Sequence, residues 1–186
     1  MRPSRRKPTL IEVLGLLAAI ACVAVLVLGV VPQAHAQSNG TIVKHNASTD
    51  IYYMLVLTPN LNQEQAAAAA LRLRYANRPG KLAEYKSANT DIWLRDNFGS
   101  QALHRVWIGG YRRKETQPWR WMSNDSNISA FFWASESGEP NNVGTSNPST
   151  GIYLYAYPGK QAKWADVNRA STNTAGFLVE FPPPGK

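Results

Sequence analysis

The sequence predicts an α+β fold in which two helices flank small antiparallel sheets, with a long irregular loop region before the closing strands. Three observations predict it. Strand and helix patterns alternate in the first half of the chain. Residues 115–149 are rich in Gly, Pro, Ser, Asn and Trp and show little periodicity. Apolar strand patterns then return near the C-terminus. A loop of that length inside a compact domain is typical of a functional region.

Five segments carry the β-branched and aromatic residues, or the alternation, that favour strands. They are residues 51–57, 82–85, 105–111, 152–157 and 176–181. In the fourth segment Tyr153, Tyr155 and Tyr157 alternate, so at least one face of that strand is expected to pack against the core. Tyr157 stands near the strand end and is a candidate for stacking on a ligand.

Two helices are predicted, over residues 62–76 and 89–98. The first contains a run of five alanines, and Asn60 or Asn62 can cap it. The second is expected to end at Gly99, since glycine accepts the backbone conformation of a helix C-terminus. Its candidate N-caps are Asn89, Thr90 and Asp91.

The first 36 residues are predicted to be a signal peptide. A basic start precedes an apolar stretch at residues 10–31, and Ala34-His35-Ala36 is a small-x-small cleavage pattern before Gln37. The stretch is also long enough to span a bilayer, so the alternative is an uncleaved inner-membrane anchor with the domain outside the cytoplasm. Either way the domain is expected to be exported, secreted or periplasmic, and membrane contact is limited to this segment.

The remainder is predicted to be a lead-in at residues 37–50, one domain at residues 51–181 and a tail at residues 182–186. Without the first 36 residues the net charge falls from +8 to +5, with no dense basic stripe, which argues against nucleic-acid binding. The only cysteine, Cys22, lies in the exported segment, so thiol chemistry is excluded from the domain. A cysteine-free exported domain favours a bacterial envelope protein.

Two short segments carry the residues with the most chemistry. Glu139-Pro140-Asn141 places a carboxylate and a carboxamide around a proline, and Trp164-Ala165-Asp166 supplies a second carboxylate further along the chain. Oxygen donors of these types are the ligands that calcium prefers, and an ion with open positions can take the hydroxyls of a sugar. No G-x-S-x-G, H-E-x-x-H or P-loop pattern is present, so an enzyme is not expected.

An ordered set of motifs over residues 51–181 resembles the C-type lectin-like domain, in a bacterial form without cysteines. The motifs are Trp107-Ile108-Gly109-Gly110, Trp119-Arg120-Trp121, Phe132-Trp133, Gly138-Glu139-Pro140-Asn141-Asn142, Lys163-Trp164-Ala165-Asp166-Val167 and Gly176-Phe177-Leu178-Val179-Glu180-Phe181. The tryptophans in these motifs are expected to be core residues rather than sugar platforms.

The resemblance implies a calcium-dependent lectin that binds mannose-like diols. It implies calcium and sugar ligands at Glu139, Asn141 and Asp166, and a cis peptide bond before Pro140. Two family ligands are missing: Ala165 replaces an asparagine, and residues 149–151 lack the usual glutamate. The candidates for further oxygen ligands of the ion are Asn142, Asn147 and Asn168. The expected partner is therefore a glycan or glycoconjugate bound through calcium, and the alternative is a protein or cell-envelope surface bound without metal.

Overall fold

The computed structural model describes residues 41–142 and 150–185, and within them it confirms the predicted α+β fold. Two helices are present there, α1 at Gln63–Arg72 and α2 at Ala88–Phe98, with a short 3-10 helix at Ser135–Ser137. The strands of the same residues are β1 Thr41–Asn46, β2 Ile51–Val56, β3 Arg74–Tyr75, β4 Arg78–Pro79, β5 Lys81–Leu82, β6 Val106–Tyr111, β7 Arg120–Trp121, β8 Gly151–Ala156, β9 Ala162–Val167 and β10 Gly176–Phe181.

The main sheet runs in the order β1-β2-β10-β6-β8-β9, with β5 on β10 and β7 on β6. Neighbouring strands are antiparallel except β10 and β6, which pair in parallel at Gly176 with Val106. The antiparallel register of β8 and β9 places Ile152 opposite Asp166. The predicted lead-in contains β1, which pairs along its whole length with β2.

Helix α1 begins where the sequence predicts and ends earlier. Asn62 is the N-cap and forms a capping box with Gln65. The prediction that the helix extends to residue 76 is wrong, because the chain leaves the helix after Arg72 and forms the β3–β4 hairpin. Ala76 and Asn77 both have positive φ in the connecting turn, as a tight two-residue hairpin requires.

Helix α2 and strand β5 also differ from prediction in detail. The N-cap of α2 is Ser87, whose hydroxyl accepts from Thr90 N–H, so none of the three predicted caps serves that role. The helix ends at Gly99 with φ 81°, as predicted. The predicted strand at residues 82–85 is reduced to β5, because the N–H of Glu84 donates to the Glu180 side chain instead of continuing the ladder.

The core contains the tryptophans that the motifs place there. Four of them are at most 7% exposed: Trp107, Trp119, Trp121 and Trp164. The fifth, Trp133, is partly buried. The indole of Trp164 packs edge-on against that of Trp121 with centroids 5.7 Å apart. Trp164 lies on β9, two residues before Asp166.

A buried ionic cluster joins β5 to β10. Lys81 Nζ lies 2.8 Å from Glu84 Oε2 and 3.1 Å from Glu180 Oε1. Burial raises the pKa of Glu180 to about 7 although Lys81 opposes the shift.

Neither α1 nor α2 has the length and apolar character needed to cross a membrane, and no other helix in residues 41–142 and 150–185 does. The predicted signal peptide, the apolar stretch at residues 10–31 and Cys22 lie outside the described residues.

Candidate functional site

The loop that carries Glu139 is fixed alongside β9 by backbone hydrogen bonds. Ala134 N–H donates to Trp164 O at 2.9 Å, and Trp164 N–H donates to Phe132 O at 2.9 Å. A 3-10 turn follows and ends at Gly138, whose φ of 83° suits glycine. Glu139 thereby lies beside Asp166, although the two are 27 positions apart in the sequence.

Glu139 is one of the buried residues of this site. It is 6% exposed, and the peptide bond between it and Pro140 is cis, the conformation that the resemblance implies. Its Oε1 accepts from Asn141 Nδ2 at 2.8 Å and from the Tyr157 hydroxyl. Its Oε2 is buried and has no hydrogen-bond partner among the described residues. A buried carboxylate oxygen in that state calls for a donor, a cation or a proton.

Asp166 is held by the backbone of the opposite loop. Its Oδ1 accepts from Asn141 N–H at 2.8 Å and its Oδ2 accepts from Asn142 N–H at 3.1 Å. Its side chain has no exposed surface. Burial raises the pKa of Glu139, and the nearby Asp166 carboxylate adds to that rise. The two side chains are therefore close enough to interact electrostatically.

The exposed face of the site is formed by amides and a phenol ring. Pro140, Asn141 and Asn142 are exposed above the two buried acids. Tyr157 is half-buried, and its ring packs against Tyr155 with centroids 4.6 Å apart. Burial and the hydrogen bond to Glu139 raise the pKa of the Tyr157 phenol, so it stays a neutral donor. The predicted residues Glu139, Asn141, Asp166 and Tyr157 thus lie in one cluster.

Arg112 belongs to the same cluster and was not identified from the sequence. Its Nη2 donates to Asn142 Oδ1 and lies 3.7 Å from Asp166 Oδ2. The Arg112 side chain is 7% exposed. Its position just after β6 gave no sequence signal that its side chain reaches Asp166 on β9 and the loop at Asn142.

The described residues do not fit a calcium ion, which takes six to eight oxygen ligands. Both Asp166 oxygens already accept backbone N–H groups, and Ala165 offers no side-chain oxygen. The side-chain oxygen of Asn142 accepts from Arg112, and that of Asn168 accepts from Ala170 N–H. In residues 41–142 and 150–185 no cluster of three or more His, Cys, Asp or Glu side chains could hold a metal. Asn147 lies outside those residues.

Comparison with solved structures gives the fold. The C-type lectin CEL-I from Cucumaria echinata matches with a TM-score of 0.56 and 18% identity, covering 74% of this chain and 93% of that one. The cow C-type carbohydrate-recognition domain of CD23, solved in the presence of a GlcNAc2Man3 oligosaccharide, matches with a TM-score of 0.54 and 19% identity. The match covers 72% of this chain and 88% of that one. A Ca2+-dependent type II antifreeze protein in its Ca2+-free form matches with a TM-score of 0.54 and 16% identity, covering 74% of this chain and 95% of that one.

No protein-family model matches the chain, and no curated protein matches it either. The structural likenesses nevertheless show the fold. The chain has a C-type lectin-like fold.

Proposed function

We propose that this chain is an exported carbohydrate-binding module whose site is the cluster of Glu139, Asn141, Asp166 and Tyr157. The observation that carries the proposal is the exposed pair of amides, Asn141 and Asn142, seated on two buried carboxyl groups. Amide groups present donors and acceptors together, as sugar hydroxyls do. The half-buried ring of Tyr157 adds an apolar face on which a sugar ring can stack.

Glu139 is the residue on which binding depends most. Its Oε1 orients the Asn141 amide at 2.8 Å, and its Oε2 is the buried acceptor that lacks a partner among the described residues. Glu139 therefore acts on the ligand through the Asn141 amide and the Tyr157 hydroxyl, which its Oε1 holds in place.

Calcium-dependent binding of a mannose-like diol is the second candidate. The convergence of Glu139, Asn141 and Asp166 favours it, since these are the side chains that the family resemblance assigns to the ion. The unpaired oxygen of Glu139 beside Asp166 favours it as well, because a cation would satisfy that oxygen. The incomplete oxygen shell among the described residues argues against it.

A glycan array tests the proposed function. The labelled protein is applied once in calcium and once in EDTA, together with Glu139→Gln and with Glu136→Gln as a matched control. Glu136 precedes Glu139 by three residues and its side chain is exposed, 3.2 Å from Lys163 Nζ. We expect glycan retention that Glu139→Gln weakens at least about tenfold and Glu136→Gln leaves unchanged.

Two results would contradict carbohydrate binding at this cluster. One is the absence of glycan retention in both buffers. The other is retention that Glu139→Gln does not alter. Capture by cell-envelope preparations that free glycans do not compete would instead support a protein or envelope surface as the partner.

A further inference from the structure

A cation of the protein itself lies beside Asp166, one of the two buried acids of this site. Arg112 follows β6, and its N–H donates to Thr150 O at 2.9 Å just before β8 begins. The side chain therefore starts from a fixed backbone position between two strands of the main sheet. Its guanidinium reaches the loop that carries Asn142 and the β9 residue Asp166.

Hydrogen bonds and a ring contact hold the Arg112 guanidinium in place. Nη1 donates to Glu115 O at 2.7 Å, and the group lies over the ring of Trp119 with 4.4 Å to the ring centroid. Nη2 donates to the Asn142 side chain. Guanidinium groups make several directed hydrogen bonds at once and stack on aromatic rings, so this geometry selects arginine over lysine.

The Arg112 guanidinium lies beside the Asp166 carboxylate in a buried part of the cluster. Asp166 has no exposed side-chain surface and Arg112 is 7% exposed, so water screens the attraction between them poorly. A divalent ion at the same place would meet a fixed positive charge and an Asp166 whose two oxygens already accept N–H groups. Both effects weaken calcium binding.

We propose that Arg112 is the resident cation of this site and takes the place of the calcium ion that the lectin-like resemblance implies. The cluster then keeps its arrangement, and the site binds its ligand, without added metal. The inference rests on the same cluster as the proposed function and deepens it.

Thermal unfolding and calorimetry of the full chain test the inference without any glycan. The wild-type protein is expected to show the same Tm in millimolar calcium and in EDTA, and no heat on titration with calcium. Arg112→Met is expected to lower the Tm, and Arg112→Lys, which keeps the charge, to restore part of the loss. A calcium-dependent rise of the wild-type Tm that Glu139→Gln removes would overturn the inference.

A double-mutant cycle separates the charge of Arg112 from its packing. Asp166→Asn removes the carboxylate that Arg112 faces, so in that background Arg112→Met should lower the Tm less than it does in the wild type. Equal losses in the two backgrounds would overturn the role of Arg112 as the resident cation. Where a variant does not fold, calorimetry of wild-type protein with calcium alone still decides the question.

The results for the two proposals are distinguishable. Calcium binding by the wild type overturns the resident-cation inference and leaves glycan binding standing in its calcium-dependent form. An array without retained glycans overturns the proposed function, and the calcium titration remains decisive for Arg112.

Discussion

Arg112 Nη2 lies 3.7 Å from Asp166 Oδ2, and both side chains are almost fully enclosed. The arginine comes from the end of β6 and the aspartate from β9, which lie on either side of β8 in the sheet. The pair therefore links two strands that do not contact each other directly, and it closes one end of the candidate site. Such a pair costs much to break, because removing one partner leaves the other charge buried.

Replacement of Arg112 is expected to destabilise the fold far more than replacement of its neighbour. Arg112→Met should lower the free energy of unfolding by about 3 kcal/mol, as for other broken buried pairs. Arg113 is the matched control: it is 63% exposed and pairs with the partly exposed Asp125, so Arg113→Met should cost less than about 1 kcal/mol. Urea unfolding measures both. Equal costs would show that the Arg112–Asp166 pair does not behave as a buried one.

Two replacements of Tyr157 should separate its hydroxyl from its ring. Tyr157→Phe removes the donor to Glu139 Oε1 and should lower the free energy of unfolding by about 1–2 kcal/mol. It keeps the ring, so glycan affinity should fall modestly. Tyr157→Ala removes the ring as well, and affinity should fall at least about tenfold if a sugar stacks there. Calorimetric titration gives both affinities, and equal affinities for the two variants would exclude stacking on Tyr157.

Glu180 should make the protein less stable as the pH rises from about 4.5 to about 7. Its pKa in the folded state is about 7, above its ordinary value of 4.5, because it is buried beside Glu84. The folded state thus holds the proton more tightly than the unfolded state. The stabilisation is complete below the unfolded pKa and is lost as the pH passes the folded one, and it amounts to about 3 kcal/mol.

Glu180→Gln tests this pH dependence, because the amide resembles the protonated acid. Unfolding free energies measured between pH 4.5 and pH 7.5 should fall less steeply in the variant than in the wild type. Some slope should remain, since burial also raises the pKa of Glu139 and of Asp91. A variant with the wild-type slope would show that Glu180 titrates normally in the fold.

Much of the fold could be predicted from the sequence because its signals are local. The alternation in β8, the alanine run of α1 and the glycine at the end of α2 each follow from a few neighbouring residues. The end of α1 could not be predicted in this way. There the positive φ of Ala76 and Asn77, two residues with side chains, depends on the pairing of β3 with β4.

The candidate site was predictable where its residues belong to an ordered motif and not elsewhere. Glu139 and Asp166 could be brought together because the resemblance fixes the order of the strands that carry them. Arg112 could not be assigned to the site from the sequence. The position of its long side chain depends on how Trp119 and the loop at Asn142 enclose it. The calcium prediction was made without that arginine, and it remains a prediction that a titration can test.

The affinity for one array-identified glycan, measured by calorimetry in EDTA and again in millimolar calcium, tests the central claim most directly. A site whose cation is Arg112 predicts the same affinity in both buffers, with Glu139→Gln weakening it in each. A loss of about tenfold or more in EDTA, reversed when calcium is restored, would contradict the claim and assign the role of the cation to calcium.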